Sequence, residues 1–204
     1  MDFNKVRDRI IPRLVNQEMN KDILCERPHM PVADLAVTYH VMLDEFEGNM
    51  ASVPVGCDLL NVWEKDVSEI HALAIRNMHM CTPSIYVPLG AMLEPLLRDK
   101  GDEDLVELSQ ADGLMYVLTN RQKLNGAAAV LDPEMAGKLT ESFGGDSNLI
   151  PSSIHEWIVV SAKATDPKSI AEMVKEVNAT QVADEDVLSD HAYRFTVAEG
   201  LVAV

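Results

Sequence analysis

The sequence predicts an α+β protein of two small lobes, each a sheet covered by helices, and three observations carry that prediction. Residues 35–43 alternate strictly, with Leu35, Val37, Tyr39, Val41 and Leu43 on one face and Ala36, Thr38, His40 and Met42 on the other, which is the period of a strand. Residues 113–162 hold three strand candidates and the turns between them: LMYVLTN at 114–120, GAAAVL at 126–131 and PSSIHEWIVVSA at 151–162. The last has β-formers on both faces, as a central strand does. The succession strand, Asp-Pro, helix then occurs twice, at Asp132-Pro133 and Asp166-Pro167. In each, Asp suits the cap and Pro the first helical position.

Taken in order, residues 2–20 place Phe3, Val6, Ile10 and Leu14 at helical spacing behind Asp2, in a helix that Pro12 bends or interrupts. Residues 24–31, with two prolines, read as a loop into the strand at 35–43. The polar stretch DEFEGNM at 44–50 then leads to a hairpin partner at 52–57. Asn61, with Glu64 three residues on, predicts the start of a helix that runs through Val67, Ile70 and Ala74 to Asn77 and lies across the hairpin. Residues 78–88 read as irregular, with Pro83 and Pro88 around a short apolar piece at 84–87, and a brief helix follows at 92–98. This gives a first lobe at 1–100, an acidic connector at 101–112 opened by Asp102-Glu103-Asp104, and a second lobe at 113–204. One continuous domain is the alternative.

In the second lobe the two Asp-Pro helices carry buried stripes. These are Ala136, Leu139 and Phe143, ended by Gly144-Gly145, and then Ile170, Met173, Val174 and Val177. A strand, a helix and a strand in succession favour a right-handed crossover, so 127–131 and 154–162 are expected as parallel neighbours. With the 114–120 strand antiparallel across the turn at 120–125, the sheet is expected to be mixed. A last strand is expected at 191–197.

Composition bounds the function. A chain of 204 residues that is 47% hydrophobic and 25% charged is globular rather than disordered. Its net charge of −16 is concentrated beyond residue 100, where seven basic side chains face eighteen acidic ones. Such a surface repels phosphate backbones and anionic membranes, so neither nucleic acid nor membrane is expected as a partner. Cys25, Cys57 and Cys81 are widely spaced and form no CxxC pair, which suits a reducing compartment rather than a disulfide framework or a structural zinc site. The start is charged through Arg13 and lacks the apolar core of a secretory signal, and no apolar run approaches the roughly 20 residues of a membrane span. A cytoplasmic protein without metal or cofactor is expected. Gly126 and Gly144-Gly145 lack the spacing of a nucleotide-binding loop, which disfavours ATP chemistry.

The catalytic motifs are each broken. His155-Glu156 opens like the metalloprotease HExxH, but Val159 stands where the second histidine ligand belongs. Ser152 and Ser153 lie beside His155 without the GxSxG turn that exposes a serine nucleophile. Asp190-His191 is a second pair that could meet His155 only through the fold. On a strand, His155 and Glu156 would face opposite ways, with Glu156 beside Ile154 and Ile158, so at most one would lie in any cleft unless a bulge re-aims the other. His71 and His79 are scattered, and the eleven methionines read as core filler.

Several segments together resemble a known family: YVLTN at 116–120, GAAAVL at 126–131, PSSIHE at 151–156, MVKEVN at 173–178 and LSDHAY at 188–193. Pro12 to Asn16, Asp34 to Val37 and the Trp63 helix with Asn77 extend the match over nearly the whole chain. The chain is similar to a family of uncharacterised proteins from anaerobic gut Gram-positive bacteria, a domain of unknown function with no assigned catalytic residues. Members with an additional N-terminal segment imply that this chain is a shortened form. The expected function is an interaction or regulatory module with a protein partner, in which Thr119, Asn120, Ser152 and Ser153 at strand ends present polar groups. The alternative is a hydrolase using His155 with Glu156, Ser153 or Asp190.

Overall fold

The computed structural model describes residues 1–43, 51–92, 115–163, 178 and 182–204, and shows an α+β chain with two antiparallel sheets and helices. It divides into two compact units, Met1–Ser84 and Ile85–Val204. The acidic connector at 101–112, the brief helix at 92–98 for all but its first residue, and the Asp166-Pro167 helix through Val177 lie outside the described residues.

In the first unit the expected N-terminal helix is only α1 (Phe3–Val6) and a 3-10 turn (Arg7–Arg9), after which the chain becomes β1 (Ile10–Asn16). Ile10 and Leu14 lie four apart and fit either period, but Pro12 lies between them on the same strand face and cannot donate within a helix. β1 is an edge strand, where a missing N–H is tolerated. The expected loop at 24–31 instead holds the end of α2 (Lys21–Leu24) and β2 (His29–Val32), a second edge that admits Pro31. The alternating segment is β3 (Leu35–Met42), paired antiparallel with β1, with β2 and with β4 (Ser52–Pro54).

The helix expected from Asn61 is two helices, α3 (Cys57–Trp63) and α4 (Val67–Cys81). The cap signature occurs twice in tandem, and the structure uses the second: the Asp66 carboxylate accepts from Glu69 N–H at 2.9 Å and Glu69 accepts from Asp66 N–H at 3.1 Å. Glu64, left-handed at φ 53°, closes α3 between them. Ile70, Ala74, Asn77 and Met78 form the buried stripe of α4, which packs on β1, β2 and β3. Asn77 Nδ2 donates to the carbonyls of Arg7 at 2.8 Å and Ile10 at 2.9 Å, and so fixes where β1 begins. His71 bonds the hydroxyl of buried Tyr39 at 3.0 Å. Burial raises that phenol above its ordinary range and lowers the His71 pKa.

The second sheet runs in the order β10 (Gly200–Ala203), β9 (Tyr193–Thr196), β7 (Ser147–Ser153), β8 (Glu156–Ser161), β6 (Met115–Asn120), β5 (Ser84–Pro88). β5 is the apolar piece between two prolines; Tyr86 stacks on Tyr116 of β6 with ring centroids 4.7 Å apart. Two strand expectations are corrected. GAAAVL is a 3-10 helix (Gly126–Leu131), buried from Gly126 to Val130, so the parallel crossover is absent and β8 pairs antiparallel with β6 and β7. A short apolar run fits a buried helix as well as a strand. The single strand at 151–162 is two strands folded back at Ile154-His155. The first Asp-Pro helix is α5 (Pro133–Glu141), where the Asp132 side chain accepts from Glu134 N–H at 3.0 Å. Trp157, fully buried, meets Tyr193 edge-to-face at 5.3 Å.

Asn77→Ala leaves two carbonyls unanswered near the base of α4, and is expected to cost about 2–3 kcal/mol, read as a lower urea midpoint with unchanged slope. A second expectation concerns His40, whose pKa is pushed down to about 3 by burial, then by Arg13 and Arg27. Folded His40 stays neutral where the unfolded chain takes up a proton, so its contribution is complete above 6.5 and is lost as pH falls from 6.5 toward about 3. The loss approaches about 1.4 kcal/mol per pH unit and is absent from the pH dependence of His40→Gln unfolding.

Candidate functional site

The sequence-derived residues converge at one end of the second sheet, where three segments meet the β7–β8 turn. β6 ends in a turn at 120–125 that its own first residue braces: Asn120 Nδ2 donates to the Leu124 carbonyl at 2.9 Å, and Leu124 N–H donates to Asn120 Oδ1 at 3.2 Å. Lys123 and Asn125 hold left-handed backbone at φ 54° and 51°. Asn tolerates this conformation, whereas Lys adopts it at some cost. Arg121, Gln122, Lys123 and Leu124 are exposed.

His155 ties this turn to the rest. Asn125 N–H donates to His155 Nδ1 at 2.9 Å, which leaves the neutral ring's proton on Nε2, facing Asp186 Oδ1 at 3.4 Å. Its backbone is held too: Thr119 Oγ1 donates to the His155 carbonyl at 2.7 Å, and His155 N–H donates to Ser153 Oγ at 3.0 Å. Neighbouring Ile154 donates to the Asp186 carbonyl at 2.8 Å and accepts from Ala127 N–H at 3.1 Å. Trp157 Nε1 donates to the Ala127 carbonyl at 2.7 Å. The 3-10 turn Asp184–Asp186 and Ala127 were not expected here, because their contributions are largely backbone groups that no sequence motif marks.

Placed in this geometry, the candidates separate. His155 is a turn residue rather than a strand residue opposite Glu156. Glu156 opens β8 in register with Ser153 and is half-buried. The register shifts between Pro151 and Ser153, which leaves Ser152 without a ladder partner. Thr119 and Asn120 are 0% and 4% exposed, so their polar groups brace the turn from inside. Asp190 pairs with His191, not His155: its Oδ1 lies 3.0 Å from His191 Nδ1, and Ser189 Oγ lies 3.2 Å from the same nitrogen. A serine relay needs nucleophile and carboxylate on opposite ring nitrogens.

Among the described residues no group of three His, Cys, Asp or Glu side chains is placed to hold a metal ion. Among them too, no helix is long and apolar enough to cross a membrane. The fold and this end of the sheet define a two-unit α+β protein with a tightly braced turn. A family model described as a family of unknown function (DUF5688) matches residues 1–196, and the chain belongs to that family. No curated protein and no solved structure matches it.

Gly126 is the tightest element of the site. A Cβ there would fall on Thr119 Oγ1, 2.5 Å from the His155 carbonyl oxygen and 2.7 Å from Asn120 N. Gly126→Ala is expected to destabilise by about 3 kcal/mol or slightly more, since backbone cannot yield as a side-chain tip does. Gly145→Ala, with nothing within 4 Å, should stay within about 0.5 kcal/mol of wild type in the same urea titration.

Proposed function

We propose that the chain is a cytoplasmic interaction or regulatory module without catalytic activity, and that the turn at 120–125 docks a protein partner. The observation that carries this reading is the occupation of the His155 ring. Its one basic lone pair, on Nδ1, already accepts from Asn125 N–H, so the imidazole serves the turn instead of a general-base reaction. The braced turn displays Arg121, Lys123 and 42% exposed Leu124 in a fixed conformation. A preorganised loop loses little entropy on binding, and an Arg beside an apolar side chain suits a partner surface that is acidic around an apolar pocket.

Affinity capture from the source cytoplasm should recover a partner with wild type and about tenfold less with Arg121→Glu/Leu124→Ser, at unchanged melting temperature. Equal recovery by both forms, or none above background, would sink the proposal. So would hydrolysis of an activated ester, peptide or phosphoester by wild type that disappears in a His155→Ala protein of unchanged melting temperature. The braced-turn reading instead expects His155→Ala to melt lower.

A further inference from the structure

The first unit carries a cationic cluster that the turn's proposed role does not use. On the face of β3 away from Tyr39, the strand registers align Arg13 and His29 with Thr38, and Ile11 and Pro54 with His40. Arg27, two residues before His29, lines a cleft with Pro54, the β4 residue paired with His40, and the Arg13 fork reaches Ser52 on the same strand. The charge of Arg27 acts on both Arg13 and His40. Thr38 and His40 are buried. Arg13 Nη2 donates to Ser52 Oγ at 2.6 Å, and that hydroxyl lies 3.3 Å from His40 Nδ1. The buried Nε–H of Arg13 meets no acceptor among the described residues. Among the described residues no carboxylate pairs with Arg13 or Arg27, although the chain carries 33 acidic side chains.

Two neighbouring guanidiniums that no described carboxylate pairs, one of them with an unanswered N–H, form an arrangement that a bound oxyanion relieves. Arg27 also lines a cleft of about 700 Å³ beside Pro54, with Cys25, Cys57, Glu26 and Asp58 among its other walls. That volume exceeds what a bare inorganic anion fills. A doubly charged phosphate matches two guanidiniums better than a carboxylate does, and Arg forks suit its geometry. Glu26 and Asp58 disfavour a second acidic group on the ligand. We infer that Arg13 and Arg27 bind the phosphate of a small phosphate monoester, whose hydroxylated or amine-bearing body occupies the cleft beside Cys25 and Cys57.

This inference concerns the other unit and stands apart from the docking turn. It is tested on the full chain by alkylation with iodoacetamide, read cysteine by cysteine, with glycerol phosphate as probe and sodium chloride matching ionic strength. Cys25 and Cys57 are exposed, while half-buried Cys81 is not among the residues lining the cleft and is the internal reference. At about tenfold excess over Kd, glycerol phosphate should slow labelling of Cys25 and Cys57 about tenfold and leave Cys81 unchanged. Inorganic phosphate should raise the melting temperature but protect the two thiols less. Arg27→Gln should lose both effects, and Arg27→Lys, which keeps charge but not the fork, should retain part. Absence of protection and of thermal shift, or both surviving in a folded Arg27→Gln protein, would overturn the site. Equal protection by inorganic phosphate and glycerol phosphate would overturn the placement of the ligand body.

Discussion

The closure of the β7–β8 hairpin is the constraint on which the second unit depends. At its turn, Ile154 sends both its N–H and its C=O to backbone outside the sheet, to Asp186 and Ala127. Trp157, fully buried just beyond, needs an acceptor for its indole N–H and finds it on the same Ala127. A buried polar group left unpaired costs about 1–3 kcal/mol, so the 3-10 segment must lie against the hairpin if the tryptophan is to be inside. That close approach requires glycine at 126. His155 completes the closure by joining the third segment, the turn at 120–125, through Asn125.

Where sequence and structure agree, the determining chemistry is local. Strict alternation is enough for β3, and an Asp before a Pro is enough for the start of α5. Disagreement arises where one pattern serves two periods. Ile10 and Leu14 fit a helix or a strand, and edge position makes Pro12 acceptable in the strand. GAAAVL is apolar without period, and its burial on every side is compatible with a 3-10 helix. The structure places Thr119, Asn120, Ser153 and His155 around the braced turn, and the four were legible as polar candidates, in separate binding and catalytic sets. Their purpose was not, because each bonds backbone: the Leu124 carbonyl, the His155 carbonyl and N–H, and the Asn125 N–H. Main-chain donors and acceptors are the same at every position in the sequence, and only the fold selects which of them meet.

The first unit places different demands on the two faces of β3. The face bearing Leu35, Val37, Tyr39 and Val41 packs with α4 and closes as an apolar core. The other holds Thr38 and His40 at low exposure with Arg13 alongside, so its order depends on hydrogen bonds as well as shape. Such a row is costly when partly satisfied, and it is informative for the same reason: the polar groups define one register, and a slip of a single residue would turn Arg13 and His40 into the apolar core.

The two tryptophans fall one to each unit, Trp63 in α3 and Trp157 in β8, and both are buried. Trp63 donates its indole N–H to the Met1 carbonyl and packs against Phe3, while Trp157 is enclosed by Tyr193 and the 3-10 segment. Each unit therefore contains its own intrinsic fluorophore. Excited at the red edge, where tryptophan absorbs and tyrosine does not, a Trp63→Phe protein emits from the second unit and a Trp157→Phe protein from the first. The emission maximum of each single-tryptophan form therefore follows the hydration of one core. Coincident or separate transitions of the two then distinguish one cooperative folding unit from two.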